Sequence, residues 1–402
     1  MQYRKCLKNG DELSVLGFGC MRFPRRGGSI DRAETEREIV RAVELGVNYF
    51  DTAYVYPGSE EVLGEVLEKN GLRERVKIAT KLPHYLIKDI ESVERCFEQQ
   101  CERLKTDYVD YYLMHMLPDV TVWERLKGLG IIEWIEEKKR TGKIRNIGFS
   151  YHGGSEMFLT LLNSYDWDFC QIQYNYLDEH SQAGRRGLLA AADKGIPVVI
   201  MEPLRGGRLA GGLPDGAKKV FTEAAVRGSD TAVGQERSPA EWAFHWLWNQ
   251  EQVTVVLSGM NSMEMIEENA RAADEARAGE FTPEEEELFA RAVAAINEKV
   301  KVGCTGCSYC MPCPAGVDIP GVFRCYNARF VDGWFSGMRE YVMCTTLRKV
   351  RSNASLCKKC GKCEKHCPQE IEIRKELDAV KKEMEGPVYK AAGWIIDKFV
   401  KL

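Results

Sequence analysis

The sequence has no uncharged apolar run approaching the roughly 20 residues needed to cross a bilayer, which excludes a membrane-spanning helix. It has no excess of one charge either. Fifty-six basic residues against sixty acidic ones leave a net charge of −4, which argues against a general nucleic-acid binder. The opening residues, MQYRKCLKNGDELSV, lack the apolar core of a secretory signal, so a cytoplasmic location is expected. Cysteine, by contrast, is abundant, and its fifteen copies form an odd set. Without export they do not read as a disulfide framework, and metal ligation is the expected use.

The 402 residues are 44% apolar and 29% charged, as in a soluble globular chain. At roughly 150 residues per domain, this length suggests two or three domains, or a large barrel with an appendage. The cysteines divide it. Cys6, Cys20, Cys96, Cys101 and Cys170 are scattered, whereas the other ten lie between Cys304 and Cys367. Two chemistries are therefore expected in two segments, 1–297 and 298–402.

The first segment alternates short β-rich runs with helical patterns. Strands are expected at 16–19, 48–51, 76–81, 108–115, 144–150, 169–173, 197–202 and 253–257, with helical patterns after each. A helix at 31–45 begins with Asp31 and Glu34 in a variant capping box and ends at Gly46; Ser59 is placed to cap the second. Eight βα units over about 270 residues fit a (β/α)8 TIM barrel in the α/β class. A doubly wound sheet is the rival, but the Gly-rich phosphate fingerprint is missing after the first strand. Residues 204–235 break the rhythm with paired glycines and mixed charge, and read as a long lid loop on the barrel's C-terminal face.

Catalytic residues of such barrels sit at the C-terminal ends of strands. Asp51, Lys81 and His115 end the second, third and fourth strands, and Tyr56 follows closely on the second. Together they suit carbonyl reduction. A lysine cation beside a tyrosine lowers its pKa toward a useful acid range. Asp51 would hold that lysine charged, and His115 would hydrogen-bond the substrate carbonyl.

The motifs FDTAYVYPGSEEVLG, IATK, YVDYYLMH, GKIRNIGFS, QIQYN, EPLRGG and SGMNSMEMIEEN follow one another in an order that resembles the aldo-keto reductase family, over roughly residues 1–297. The resemblance implies a barrel that binds NAD(H) or NADP(H) across its mouth and transfers hydride to an aldehyde or ketone. Tyr56 would be the general acid. Ser150 and Gln171 would touch the carboxamide, Glu268 and Asn269 the adenine, and Gly259 the cofactor's phosphate region. The family usually has Asn where Tyr151 stands, and often a stacking Tyr at Met201. Members that prefer NADPH place basic residues at Gly259 and Met265, so a preference for NADH is expected, with Arg205 or Arg208 as alternative cations.

In the tail, CTGCSYCMPCP places Cys304, Cys307, Cys310 and Cys313 three apart, and CKKCGKCEKHCP places Cys357, Cys360, Cys363 and Cys367 in the C-x2-C-x2-C-x3-C-P run of bacterial ferredoxins. On that pattern Cys304, Cys307, Cys310 and Cys367 hold one [4Fe–4S] cluster, and Cys357, Cys360, Cys363 and Cys313 a second. Two zinc sites are the alternative, against which the threefold runs and Cys-Pro endings weigh. The spacer is helical in pattern, so a small α-helical ferredoxin-like domain is expected, with Cys325 and Cys344 as core residues. Lys358, Lys359, Lys362 and Lys365 would compensate cluster charge or dock an acidic redox partner.

Barrel plus tail resembles the iron–sulfur subgroup of aldo-keto reductases. A nicotinamide moves two electrons as hydride, and a cluster moves one. Three readings follow: a hydride-transfer enzyme on a carbonyl or alcohol with structural clusters; a reductase fed by ferredoxin or flavodoxin, whose clusters pass electrons to a flavin or substrate; or a non-catalytic redox sensor or carrier.

Overall fold

A computed structural model describes the chain except for residues 153–154, 228–236, 305, 307–309, 347–349, 368 and 400–402. It packs as two compact units, one of Met1–Gly206 with Ser238–Thr282 and one of Gly207–Arg237 with Pro283–Leu402. Among the described residues no helix is long and apolar enough to cross a membrane.

The first unit is a closed barrel of parallel strands. They are β1 (Leu16–Gly19), β2 (Tyr49–Asp51), β3 (Lys77–Leu82), β4 (Val109–Met114), β5 (Ile144–Tyr151), β6 (Phe169–Gln173), β7 (Val198–Met201) and β8 (Val253–Ser258). β8 returns to β1 with Val256 opposite Leu16, which closes the ring. All eight strands lie where the sequence places them, to within a residue or two at the ends. A hairpin of Tyr3–Lys5 with Glu12–Ser14 precedes β1. Its loop hydrogen-bonds the inward Tyr111 hydroxyl, through Asn9 at 3.0 Å and Asp11 at 2.7 Å.

Side chains alternate along each strand, and the two sets build two cores. Tyr49, Ala79, Tyr111, Leu113, Phe169, Val199 and Val255 fill the barrel interior. Phe18, Phe50, Ile78, Tyr112, Ile147, Phe149, Cys170 and Val256 face outward to the helices. Gly148 on β5 makes room for the interior: a Cβ there would lie 2.6 Å from the Phe169 ring.

The helices obey local rules. Asp31 caps α1 (Arg32–Glu44) by accepting from the Glu34 N–H, and Gly46 follows with φ 96°. Asp89 and Ser92 form a reciprocal capping box on α3 (Ile90–Leu104). Ser59 does not cap α2 (Ser59–Lys69), as the sequence suggests; Gly58 at φ 75° occupies the cap position. The Ser59 hydroxyl instead lies 2.8 Å from that of Thr52 and donates to the Cys20 carbonyl at 2.9 Å, tying together the ends of β1 and β2. Gly64 lets α2 approach α3, since a Cβ there would lie 2.4 Å from the Arg103 carbonyl oxygen.

The remaining barrel-unit helices are α4 (Val120–Gly128), α5 (Ile131–Arg140), α6 (Ser155–Leu162), α7 (Gly184–Asp193), α9 (Pro239–Trp248) and α10 (Met263–Asp274). The expected lid loop is not a bare loop. It carries α8 (Asp215–Arg227), which packs with α11 (Pro283–Asn297) in the second unit. The packing thus assigns both helices to the second unit, whereas the sequence places a single boundary near residue 297.

The rest of that unit is helical: α12 (Ile319–Val331), α13 (Trp334–Thr345), α14 (Ile373–Met384) and α15 (Pro387–Phe399). Val317, Val322, Phe323, Tyr341, Leu377, Val380 and Met384 form its core. The buried Glu385 carboxylate accepts from Tyr341 Oη at 2.6 Å and Asn353 Nδ2 at 3.0 Å, which anchors the segment leading into the second cysteine run.

Candidate active site

Period-two alternation fixes what faces the mouth. In β2, β3, β4 and β6 the interior residues Tyr49, Ala79, Leu113 and Phe169 are each followed two positions later by Asp51, Lys81, His115 and Gln171. Those four therefore stand one layer above the apolar interior, at the C-terminal end.

Lys81 Nζ donates to Asp51 Oδ1 at 2.6 Å and to the Thr52 carbonyl at 2.7 Å. Both side chains of the pair are almost fully buried. Gln171 Nε2 donates to the other oxygen, Asp51 Oδ2, at 2.8 Å. Burial presses the lysine toward neutrality, but Asp51, with Tyr56, outweighs it and holds Lys81 above its ordinary pKa. Lys81 Nζ stands 5.3 Å from the centre of the half-buried Tyr56 ring, and the His115 ring meets that ring edge to face at 6.1 Å.

The electrostatics of Tyr56 differ from the expectation. Attraction by Lys81 is the largest single influence and lowers its pKa, but burial, Asp51, Cys20 and Tyr85 together outweigh it. The phenol is held above its ordinary value first by burial, with Asp51 next in offsetting the lysine's charge. His115 moves the other way. Burial, then the Lys81 cation, pushes its pKa down to about 3, so the imidazole is neutral at physiological pH. Its Nδ1 is buried with no hydrogen-bond partner among the described residues.

A network that the sequence did not reveal supports Lys81 from outside the barrel. Gln100 Nε2 donates to the Lys81 carbonyl at 3.2 Å and to Glu60 Oε1 at 2.9 Å. Glu60 also accepts from Thr80 at 2.6 Å and from Arg103 at 3.1 Å. Glu60 lies in the first motif as an ordinary helix carboxylate, and nothing local marks it.

The other expected contacts divide. Ser150 sits opposite Gln171 across the β5–β6 pair, and its hydroxyl accepts from the Met116 N–H at 2.7 Å, leaving its own proton to donate. Tyr151 points outward, buried against Phe149 and Phe158, so it withdraws nothing from the mouth. Asn269 on α10 turns inward and donates to Ser258 Oγ at 3.1 Å, while Glu268 is exposed. Gly259 follows β8 and has a neighbour the sequence did not suggest: Arg22, in the turn after β1. A Cβ at Gly259 would touch Arg22 Cδ at 3.3 Å, and Arg22 Nη1 donates to the Gly206 carbonyl at 3.3 Å. Arg205 is held by Asp178 at 3.2 Å. Within the second unit Arg208 binds Asp332 at 2.8 Å, along with Ser336 and Glu340. Exposed apolar side chains rim the mouth on loops after β1, β3 and β4: Met21, Tyr85, Leu86 and Met116.

In the second unit Cys304, Cys310, Cys313, Cys357, Cys363 and Cys367 are partly buried around the core, Cys360 is exposed, and Cys307 lies outside the described residues. Among the described residues no three His, Cys, Asp or Glu side chains are grouped closely enough to hold a metal ion.

A closed parallel barrel with a buried Asp–Lys pair beside a tyrosine and a neutral histidine is an oxidoreductase arrangement. Residues 15–285 match the aldo/keto reductase family, and the chain belongs to it. It is 29% identical over 232 residues to the uncharacterized oxidoreductase YrpG of Bacillus subtilis, covering 52% of this chain and 69% of that one. It is 22% identical over 289 residues to the aldo-keto reductase yakc [NADP(+)] of Schizosaccharomyces pombe, covering 64% and 83%. Among solved structures it resembles the holo form of aldo-keto reductase AKR11C1 from Bacillus halodurans, with 25% identity, a TM-score of 0.57, and coverage of 73% and 96%.

The depressed His115 pKa has a directly observable sign. The unfolded chain protonates this histidine near pH 6.5 and the folded chain does not, so this group makes the fold less stable as pH falls from about 7 toward 4. The His115 imidazole resonance should stay at its neutral position from pH 8 to about 4. A titration between pH 6 and 7 would show instead that Lys81 does not keep it neutral.

Proposed function

We propose that the barrel reduces an aldehyde or ketone to the alcohol with NADP(H), and the observation that carries this is Tyr56 set against the buried Lys81–Asp51 pair. The residues fit a nicotinamide cofactor: Ser150 has a hydroxyl proton to give, Gly259 adds no side chain before α10, and Arg22 packs beside it as a cation. When bound, that cofactor supplies the hydride.

The chain's own residues supply the proton and its control. Tyr56 donates its phenolic proton to the carbonyl oxygen as negative charge develops. Lys81 stabilises the phenolate that remains, and Asp51 keeps Lys81 charged and fixed. Neutral His115 hydrogen-bonds the same oxygen without competing as an acid. The apolar rim of Met21, Tyr85, Leu86 and Met116 favours substrates with an apolar body beside the carbonyl. Tyr56→Phe should lower kcat by about 10²- to 10⁴-fold with little change in cofactor binding. Wild-type kcat/KM should be level through the neutral range and fall only above the ordinary phenol range, because burial and Asp51 hold Tyr56 upward. Full activity in the phenylalanine variant would remove Tyr56 as the acid, whereas no carbonyl reduction by the wild type would point to the non-catalytic reading.

Arg22 favours NADPH over the expected NADH, because it supplies from a distant part of the chain the cation missing at Gly259. Arg22 reaches the same place from the turn after β1. A charge-assisted contact to a 2′-phosphate is worth about 1.5–3 kcal/mol. Arg22→Ala should therefore weaken NADPH binding about tenfold or more in a fluorescence titration and leave NADH nearly unchanged. Equal losses for both would place Arg22 on the shared pyrophosphate.

For the tail, eight thiols in two runs are a donor set suited to two [4Fe–4S] clusters, and their partly buried positions around one small core agree with that use. Cys304, Cys307, Cys310 and Cys367 would hold one, and Cys357, Cys360, Cys363 and Cys313 the other. The Lys359 N–H already donates to Cys357 Sγ at 3.4 Å, the kind of bond that stabilises a ligating thiolate. Clusters so held carry single electrons. Anaerobic protein should contain iron and acid-labile sulfide near eight of each per chain; about four would mean one cluster, and zinc without sulfide would overturn the reading.

A further inference from the structure

Outside both cysteine runs, α12 and α13 bring two other thiols together. The helices fold back on one another through the turn at 332–333. Gly337 sets their separation, because a Cβ there would lie 2.5 Å from the Arg329 backbone. Cys325 is one turn before Arg329 and Cys344 two turns after Gly337, so both lie on the same side of that contact. Side chains tilt toward helix N-termini, which turns the Cys344 sulfur back toward the level of Cys325. The two thiols are hydrogen-bonded to each other. Arg324 Nη2 also donates to Cys344 Sγ at 3.2 Å.

The pair is asymmetric. Cys325 is fully buried, whereas Cys344 is partly exposed. The Cys325 hydrogen bond, followed by attraction from Arg324, outweighs burial and the nearby Glu340 carboxylate, and holds the Cys344 pKa down at about 6. The Cys325 thiol is pushed upward by that same bond and by burial. Glu340, one turn before Cys344, is itself engaged by Arg208. An accessible, cation-stabilised sulfur with a protonated thiol behind it has the layout of a peroxide-reactive cysteine and its resolving partner. Core packing alone would not need Arg324 aimed at the sulfur.

We propose that Cys344 and Cys325 form a redox modification site that a hydroperoxide converts to a disulfide between α12 and α13, independently of the barrel's chemistry. The Cys344 thiolate attacks one peroxide oxygen. The S–O bond forms, the O–O bond breaks, and the departing oxygen takes a proton and leaves as water or alcohol. Cys325 then attacks the sulfenic sulfur, the S–S bond forms, and the hydroxyl leaves as water with the Cys325 proton. Two thiols lose two electrons, and the peroxide gains them.

The test uses the full chain, purified anaerobically, with one equivalent of hydrogen peroxide, a dimedone quench and peptide mapping. A Cys325–Cys344 linked peptide, reversed by dithiothreitol, is the expected major product. In Cys325→Ser the Cys344 dimedone adduct should rise about tenfold, because no thiol resolves it. Cys344→Ser should leave Cys325 unmodified. As an independent readout, Cys344 should alkylate at least about tenfold faster than Cys101 at pH 6.5, and Arg324→Gln should remove most of that difference. Absence of the linked peptide while the run cysteines oxidise would overturn the proposal, as would alkylation of Cys344 no faster than that of Cys101.

Discussion

The ion pair between Lys81 and Asp51 is the constraint from which the rest of the barrel's mouth follows. A lysine cation with almost no exposure is costly unless its partner and hydrogen bonds are complete. Here Asp51 and the Thr52 carbonyl take two of its protons, and Gln171 holds the second carboxylate oxygen. Removing Asp51 alone would strand a buried charge, a loss of about 3–5 kcal/mol in comparable cases. The pair therefore binds β2, β3 and β6 as well as setting the chemistry. It acts on both neighbours: its cation adds to burial in keeping His115 neutral, and on Tyr56 Asp51 adds to burial in offsetting that cation's pull.

That pair is in turn held from behind. Gln100 on α3 grips the Lys81 carbonyl, Glu60 on α2 grips Gln100 and Thr80, and Gly64 sets how closely α2 approaches α3. A helix-to-helix packing distance is thereby transmitted to the Lys81 backbone, on the strand inside both helices. Position on a rigid strand, with a completed polar shell behind it, is what keeps a catalytic side chain within a fraction of an ångström of its working place.

Strand positions and the inward set were legible in the sequence because they depend on local period: a residue two beyond Tyr49 or Ala79 must face the same way. Chain order also pointed to Asp51, Tyr56, Lys81 and His115, which the fold brings close to one another. What could not be read depends on contacts far apart in sequence. Arg22 reaches Gly259 across more than half the chain, and Cys325 meets Cys344 only because Gly337 allows two helices to close. Tyr151 misled for a different reason. Its residue type departs from the family pattern, but its parity along β5 sends the ring outward, where identity matters for packing and not for the cofactor. Ser59 has a helix cap's chemistry and proximity, yet the positive φ of Gly58 takes the cap and leaves the hydroxyl to join β1 to β2.

The two units differ in the electrons they suit. On the proposed reading the barrel would pair a proton from Tyr56 with a hydride, a two-electron event with no stable halfway state. Clusters held by the cysteine runs would accept one electron at a time, and none of the tetrad residues can split a hydride into single electrons. Each unit also has its own core. A purely structural role for eight thiols is then weakly motivated, since Val322, Phe323, Tyr341 and Leu377 with the buried Glu385 latch already give the tail a packed interior. Electron traffic through the tail requires a one-electron mediator at the barrel end, either a flavin or a substrate that can hold a radical.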